Sequence, residues 1–246
     1  MSLINKIFPL KSFSDLSVLK TDVHSHFIPN IDDGCRTLDE SIALLKKMDK
    51  IGFQNIVCTP HVQHEIYQNS KENILPAFES LKAATKRHLP NLNLHIGAEY
   101  MLDDGFSDQL KDGLISFGKK NFVLVELSFF TPHPKYLFYL QEILNKGYTP
   151  ILAHPERYGY WHDNNDIFID LQNAGVLFQI NIPSLCGFYG NVIKKRAFEL
   201  MKTDFTFCLG SDVHNNFYME NIINGLKSKL MKNLLSNKKF SNSEMI

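Results

Sequence analysis

Apolar positions along the chain follow two periods. Short apolar runs at residues 19–23, 55–58, 92–96, 122–126, 150–153, 176–180 and 205–209 have the length of buried strands. Between them the apolar positions recur every three or four residues, the spacing of an amphipathic helix. The clearest case is 38–51, where Leu38, Ile42, Leu45, Met48 and Ile51 share a face and Thr37 with Glu40 makes a capping box. The same period predicts helices over 71–88, 135–146, 166–174, 191–203 and 216–235. Gly52, Gly147 and Gly175 follow three of these, where a left-handed stop favours glycine. Strand alternating with helix implies parallel pairing and right-handed crossovers. No linker divides the chain, so the economical architecture is α/β, one closed or nearly closed β/α barrel. A doubly wound open sheet should carry a glycine-rich phosphate loop near its first strand, and neither GxGxxG nor a Walker pattern occurs. Residues 21–235 then form the barrel, 1–20 an N-terminal extension and the polar stretch 236–246 a flexible tail.

Composition narrows the class. With 246 residues, 44% hydrophobic and 21% charged, the chain can bury one sizeable core and is not disordered. Lys+Arg and Asp+Glu are both 26, which leaves no basic excess for phosphate backbones or anionic lipid. No window approaches the run of about 18 apolar residues that spans a membrane. The first twenty residues, broken by Pro9, Lys11 and Asp15, lack the apolar core of a signal peptide. Cys35, Cys58, Cys186 and Cys208 are widely spaced and read as reduced thiols. The expectation is a soluble cytoplasmic protein that neither binds nucleic acid nor inserts into a membrane.

In a β/α barrel the C-terminal ends of the strands share one mouth. Strand one ends in Asp22-Val23-His24-Ser25-His26, followed by Asp32-Asp33-Gly34, and strand two in Thr59-Pro60-His61. Strand three reaches Glu99, strand four Glu126, strand five His154-Pro155-Glu156-Arg157, and strand seven Ser211-Asp212-Val213-His214. His24 and His26, two apart on a strand, point to one face, and Asp212 with His214 repeats the arrangement. Glu126 lies in an apolar run, where an ionised carboxylate is costly to bury unless a cation meets it. Imidazoles with carboxylates suit zinc, manganese or iron rather than calcium. The candidate ligands exceed the needs of one ion, which implies two or three ions sharing a carboxylate and a bridging hydroxide, an arrangement for hydrolysing phosphoesters.

Taken singly, each residue has a plainer explanation. An HxH arises by chance, His24 or His154 can be a satisfied core histidine, and Glu99 or Asp212 can cap a helix. Six strand ends collecting ligand types together is what favours a metal. His88 and His95 read as surface and scaffold, and His64, His133 and His162 as solvated loop residues. Of the adjacent Asp32 and Asp33, one is expected to face inward. Arg157 can hold a phosphate through its planar fork or pair with a neighbouring carboxylate. Cysteine-based phosphatase chemistry needs an arginine six positions after the cysteine; those positions hold Ser41, His64, Val192 and His214.

The set HSH, DDG, TPH, GAE, VELS, AHPERY and GSDVHN resembles, in order, the polymerase and histidinol phosphatase (PHP) superfamily. The variants IPNIDDG, AHPERY and SDVHN resemble its branch of manganese-dependent protein-tyrosine phosphatases of bacterial capsule and exopolysaccharide operons, over about Asp22 to Asn215. The resemblance implies a distorted seven-stranded (β/α)7 TIM-like barrel with a trinuclear centre. His24, His26, Glu99 and Asp212 would surround one metal, Glu99, Glu126 and His154 a second, and Asp33, His61 and His214 a third. Arg157 would contact the substrate phosphate, with His61 and Asp212 beside it as catalytic residues. Mn2+ is the implied metal, with iron or zinc as alternatives, and the implied partner is a phosphotyrosine protein such as a tyrosine kinase of polysaccharide export. The chain departs from the pattern in the twenty or so residues before its first motif. It departs again after SDVHN, where Asn216-Phe217-Tyr218-Met219 stands in place of a second arginine. Competing readings are a histidinol-phosphate phosphatase with the same cluster, and a non-catalytic binding module that metals merely stabilise. A nuclease is disfavoured by the zero net charge.

Overall fold

The structure is a computed structural model that describes residues 15–203 and 205–246. Of the expected N-terminal extension, residues 1–14 lie outside the described residues. Leu16 and Leu19 are buried, and Leu16 N donates to Ile51 O at 2.6 Å.

Every pairing between strands is parallel, as the alternation of periods predicts. Strands β1 (Thr21–Asp22), β2 (Asn55–Cys58) and β4 (Asn93–Ile96) form a three-stranded sheet in the order β1-β2-β4. A six-stranded sheet has the order β3-β5-β6-β7-β8-β9. Its strands are β3 (His61–Val62), β5 (Glu99–Met101), β6 (Phe122–Glu126), β7 (Thr149–Ala153), β8 (Leu177–Asn181) and β9 (Thr206–Gly210). The expected second and third strands are thus each interrupted, at Thr59-Pro60 and at Gly97-Ala98. Pro60 has no N–H to give a ladder. A Cβ at Gly97 would lie 3.0 Å from the Phe117 ring and 3.3 Å from the Thr59 side chain. The restart sets His61 opposite Glu99 in the β3/β5 register.

The first and last strands meet beyond their ladders. Ser25 and Val213 form a parallel bridge, Asp212 N donates to His24 O at 2.8 Å and His26 N donates to Val213 O at 3.1 Å. One step down, Ser211 N and Oγ donate to the buried Asp22 carboxylate at 2.8 and 2.6 Å. A further step down, Asn242 accepts from Leu209 N at 3.0 Å and donates to Leu209 O and Thr21 O at 2.7 and 2.9 Å. The segment 236–246, expected to be a flexible tail, therefore packs. Asn242 within it serves buried backbone groups, and Met245 joins the apolar cluster of Val23, Val57, Leu124, Ile151 and Cys208 inside the strands.

Alternation along β6 explains where Glu126 points. Phe122 and Leu124 face that inner cluster while Val123 and Val125 face the helices. Glu126, two residues beyond Leu124, continues the inner face at the carboxyl end of the strand. The outer layer contains α1 (Leu38–Lys50), α2 (Lys71–His88), α3 (Phe106–Asp112), α4 (Tyr136–Asn145), α5 (Asp166–Asn173), α6 (Ile182–Cys186), α7 (Asn191–Leu200), α8 (Asn216–Gly225) and α9 (Lys229–Asn237). Glu40 N donates to Thr37 Oγ1 at 3.2 Å, but the Glu40 carboxylate accepts from Arg36 N, so the capping box is half made. The expected helix 216–235 is two, because Ser228 caps a new start by accepting from Met231 N at 3.2 Å. The short α3 and α6 were not legible from periodicity. No helix among the described residues is long and apolar enough to cross a membrane.

Candidate metal centre

All nine candidate ligands converge at the carboxyl ends of the strands. His24 and His26 bring their Nε2 atoms to 3.2 Å from each other. Glu99 Oε2 lies 3.1 Å from His24 Nε2, 3.1 Å from His61 Nδ1 and 3.5 Å from His26 Nε2. Its other oxygen lies 3.0 Å from His154 Nε2. Glu126 is 3.2 Å from His61 Nδ1 and 3.8 Å from His154 Nε2. Asp212 Oδ1 is 3.4 Å from His24, from His26 and from His214. Asp33 Oδ1 sits between His61 Nε2 at 3.5 Å and His214 Nε2 at 3.4 Å. Four overlapping groups have their donor atoms within 4.8 Å of one another: His26/Asp33/His61/His214, His24/Glu99/His154, His24/His26/Asp212 and His61/Glu99/Glu126.

The chain is held in unusual shapes to achieve this. His154 and Asp212 adopt left-handed backbone, at φ 36° and 50°, a conformation that costs free energy for residues with a Cβ. Of the adjacent pair, the Asp32 side chain is buried, whereas Asp33, its side chain 54% exposed, reaches the cluster from the rim. Asp32 lies behind His26, accepting from His26 Nδ1 at 2.8 Å, Gly34 N at 2.9 Å and His61 N at 3.1 Å, while Asp33 points at the ligands. The turn needs Gly34, where a Cβ would come within 2.2 Å of His26 O.

The donor set fits transition-metal ions. His24, His26 and His214 each place Nδ1 on an acceptor: Gln179 Oε1 at 2.8 Å, Asp32 Oδ2 at 2.8 Å and the Asp212 carbonyl at 2.9 Å. That fixes the ring proton on Nδ1 and leaves each Nε2 as a lone pair turned to the cluster, the usual posture of a ligating histidine. Two such lone pairs at 3.2 Å repel unless a cation or a proton lies between them. Glu99 Oε2, fully buried, has no hydrogen-bond donor among the described residues. Without a metal, protons offset the charge. Burial would raise the Glu99 and Asp212 carboxyls, but charged His24, together with His61 for Glu99 and His214 for Asp212, holds both well below the usual carboxylate range. Burial would lower His61, yet Glu99 and Glu126 push it up to about 9.

Arg157 lies beside a carboxylate, one of its two sequence readings. Its Nη1 lies 3.5 Å from Asp212 Oδ2, and its guanidinium lies over the rings of Phe129 and Tyr189, 4.1 and 4.2 Å from their centroids. A cleft of about 510 Å3 opens from His61, Glu126 and Asp33 past Tyr67, Phe129 and Phe130. Of the other histidines, His133 pairs with Asp104 at 3.0 Å and His162 donates to Glu156 O at 2.8 Å. Sequence reasoning missed the aromatic residues Tyr67, Phe129 and Tyr189, and it missed Gln179 and Asn181 on β8. These last two are polar residues two apart at the end of an apolar strand, the same signal as His24 and His26.

Parallel strands with a buried His/Asp/Glu cluster at their carboxyl ends define an α/β protein whose cluster could hold metal ions. The chain belongs to the family described as "Capsular polysaccharide synthesis, CpsB/CapC", whose model matches residues 20–246. It is 31% identical over 202 residues to the tyrosine-protein phosphatase YwqE of Bacillus subtilis (strain 168), covering 79% of this chain and 77% of that protein. It is also similar to a chain from the crystal structures of YwqE from Bacillus subtilis and CpsB from Streptococcus pneumoniae, described as unique metal-dependent tyrosine phosphatases. The TM-score there is 0.76 at 25% identity, with 92% of this chain and 93% of that chain covered. A histidinol phosphate phosphatase from Lactococcus lactis, complexed with zinc, L-histidinol and phosphate, matches with TM-score 0.52 at 14% identity, over 85% of this chain and 92% of that chain. That likeness is one of fold.

Proposed function

We propose that this protein is a metal-dependent protein-tyrosine phosphatase acting in the cytoplasm on a phosphotyrosine protein of capsular or exopolysaccharide synthesis, such as a tyrosine kinase of polysaccharide export. The observation that carries the reading is the Glu99-centred cluster opening onto an aromatic-walled cleft beside Arg157. The two sheets are read as one distorted seven-stranded barrel, with β2/β3 and β4/β5 as single interrupted strands and the Ser25–Val213 bridge joining first to last. His24, His26, Glu99 and Asp212 would hold one ion, Glu99, Glu126 and His154 a second, and Asp33, His61 and His214 a third. Two or three divalent ions, Mn2+ foremost and iron or zinc as alternatives, would supply positive charge to the phosphoryl oxygens and a water of lowered pKa.

The chain's own residues do the rest. Arg157 presents the planar fork that grips a phosphate, and stacking on Phe129 and Tyr189 fixes the plane of that fork. His61 and Asp33 belong to the cluster and also line the cleft, so a phosphate there has its arene among Tyr67, Phe129 and Phe130. A phenol has a pKa of about 10, which makes phenolate a better leaving group than a serine alkoxide and lessens the need for a strong general acid. An aromatic wall favours an aryl phosphate over the polar side chain of histidinol phosphate.

Phosphate release from a phosphotyrosine peptide by Mn2+-loaded protein tests the reading, with histidinol phosphate and a chelator-treated sample alongside. Peptide turnover that chelator abolishes, exceeding that on histidinol phosphate, is the expected result. Preference for histidinol phosphate would overturn the substrate class. Silence on both with Mn2+ bound would point to a binding module.

A further inference from the structure

Strand β8 gives the cluster no imidazole and no carboxylate, yet its end carries two fully buried amides, Gln179 and Asn181. They form a continuous chain. Asn181 Nδ2 donates to Asp212 Oδ2 at 2.6 Å, Gln179 Nε2 donates to Asn181 Oδ1 at 2.9 Å, and His24 Nδ1 donates to Gln179 Oε1 at 2.8 Å. The direction of this chain is fixed by chemistry. An ionised carboxylate only accepts, so Asp212 turns the Asn181 NH2 toward itself. Asn181 must then offer its oxygen to Gln179, and Gln179 its oxygen to His24. The result is a proton on His24 Nδ1 and a lone pair on Nε2.

The other end of the chain is equally constrained. Asp212 Oδ2 is taken by Asn181, with Tyr189 Oη at 3.3 Å and Arg157 Nη1 at 3.5 Å, which leaves Oδ1 to face His24, His26 and His214. The backbone is pinned as well, since Asn181 N donates to the buried Glu156 Oε1 at 3.0 Å. Gly210 on the adjacent β9 makes room: a Cβ there would lie 2.7 Å from both Gln179 Nε2 and His24 Cβ.

We propose that Gln179 and Asn181 are positioning residues for the metal centre, a carboxylate-directed amide chain that sets the tautomer of His24 and turns one oxygen of Asp212 toward the ions. The inference rests on the ligand assignment proposed above. It touches two ligands of the His24/His26/Asp212 group at once, so its loss loosens that ion in particular.

The test is Mn2+ binding to the full-length protein, read from the paramagnetic resonance of free Mn2+, with thermal melts of the metal-free forms. Gln179→Leu removes the acceptor for His24, and Asn181→Asp sets an oxygen against Asp212 at unchanged size. Gln179→Glu keeps an acceptor for Nδ1. The expected result is a Mn2+ dissociation constant raised about tenfold to a hundredfold in the first two, with Gln179→Glu, which keeps the acceptor for His24 but loses the donor to Asn181, between Gln179→Leu and wild type. If Gln179→Leu does not melt cooperatively, the isosteric Asn181→Asp decides. Wild-type protein that binds no Mn2+ would overturn the metal-centre reading and this inference with it. Wild-type affinity in both Gln179→Leu and Asn181→Asp would overturn the amide chain alone. A Gln179→Glu as weak as Gln179→Leu would also overturn it, because the acceptor offered to His24 would then make no difference.

Discussion

Arg157 meets Asp212 at 3.5 Å, Nη1 to Oδ2, at the edge of the cluster, while Phe129 and Tyr189 enclose its guanidinium from two sides. Both rings restrict the plane in which the fork can present its donors. Arg157→Lys keeps the charge but loses the fork and the stacking. We expect kcat/KM for a phosphotyrosine peptide to fall about tenfold to a hundredfold, the scale of a lost charge-assisted hydrogen bond. Bound Mn2+ should be unchanged. Steady-state kinetics with a metal assay checks both, and a loss of Mn2+ would mean that Arg157 acts through Asp212 instead.

Glu99 touches three histidines of the cluster with one oxygen and a fourth with the other. Glu99→Gln keeps the shape and removes the charge. Metal content should drop, and turnover should fall by at least about a hundredfold, beyond what outer-shell changes cost. Elemental analysis after gel filtration gives the first quantity, and retention of full Mn2+ would contradict the placement of Glu99 at the centre.

Raised imidazole pKa values give metal and acid opposite effects. His61 titrates near 9 in the metal-free fold, against about 6.5 when unfolded. A group whose folded pKa is raised stabilises the fold fully below its unfolded pKa and loses that contribution as pH rises through the folded value. Metal-free protein should therefore lose stability between about pH 6.5 and 9. Mn2+ must displace the same protons, so its affinity should rise over that interval with proton release. Titration calorimetry in two buffers of different ionisation enthalpy measures the protons, and none released at pH 7 would refute the charge state assigned to the cluster.

Much of this architecture was legible because the chemistry is carried by residues with strong signatures. His24, His26, His61, His154 and His214 stand at strand ends, and the period-two rule that aims Phe122 and Leu124 inward also aims Glu126. What escaped was non-local. Pro60 and Gly97 read as parts of strands, yet they break them, and the break is what sets His61 beside Glu99. Asp32 turns inward behind His26 because Gly34 lets the chain fold back there, a contact that neighbouring positions do not announce. Gln179 and Asn181 look like ordinary polar residues until Asp212 is placed next to them.

Phe130 stands 93% exposed on the rim of the cleft, an arrangement that costs solvation and packs little core. Phe130→Ser should leave the melting temperature nearly unchanged. The KM for a phosphotyrosine peptide should rise about fivefold, the effect of losing an aromatic anchor worth about 1 kcal/mol. Inhibition by inorganic phosphate, which reaches only the cluster and Arg157, should stay as in wild type. Equal effects on peptide and phosphate would place Phe130 outside the substrate path.

Asn242 and the buried Asp22 carboxylate are successive rungs joining the first strand to the last, directly below the His24–Asp212 rung. Asn242→Ala leaves Leu209 N, Leu209 O and Thr21 O without the amide that satisfies them in a site closed to solvent. An unsatisfied buried polar group costs about 1–3 kcal/mol, so a loss of roughly 3–5 kcal/mol is expected after partial relaxation. The comparison belongs in chelator, since bound metal stabilises the folded state by mass action and would mask part of the loss. Urea unfolding of metal-free wild type and Asn242→Ala provides the measurement. Truncation after Asn237 should cost more, because it also withdraws Met245 from the inner apolar cluster. If either variant unfolded at the wild-type midpoint, the last residues would not be clasping the strands. If both are destabilised but regain Mn2+-dependent turnover at low temperature, the clasp acts on the fold and leaves the geometry of the cluster intact.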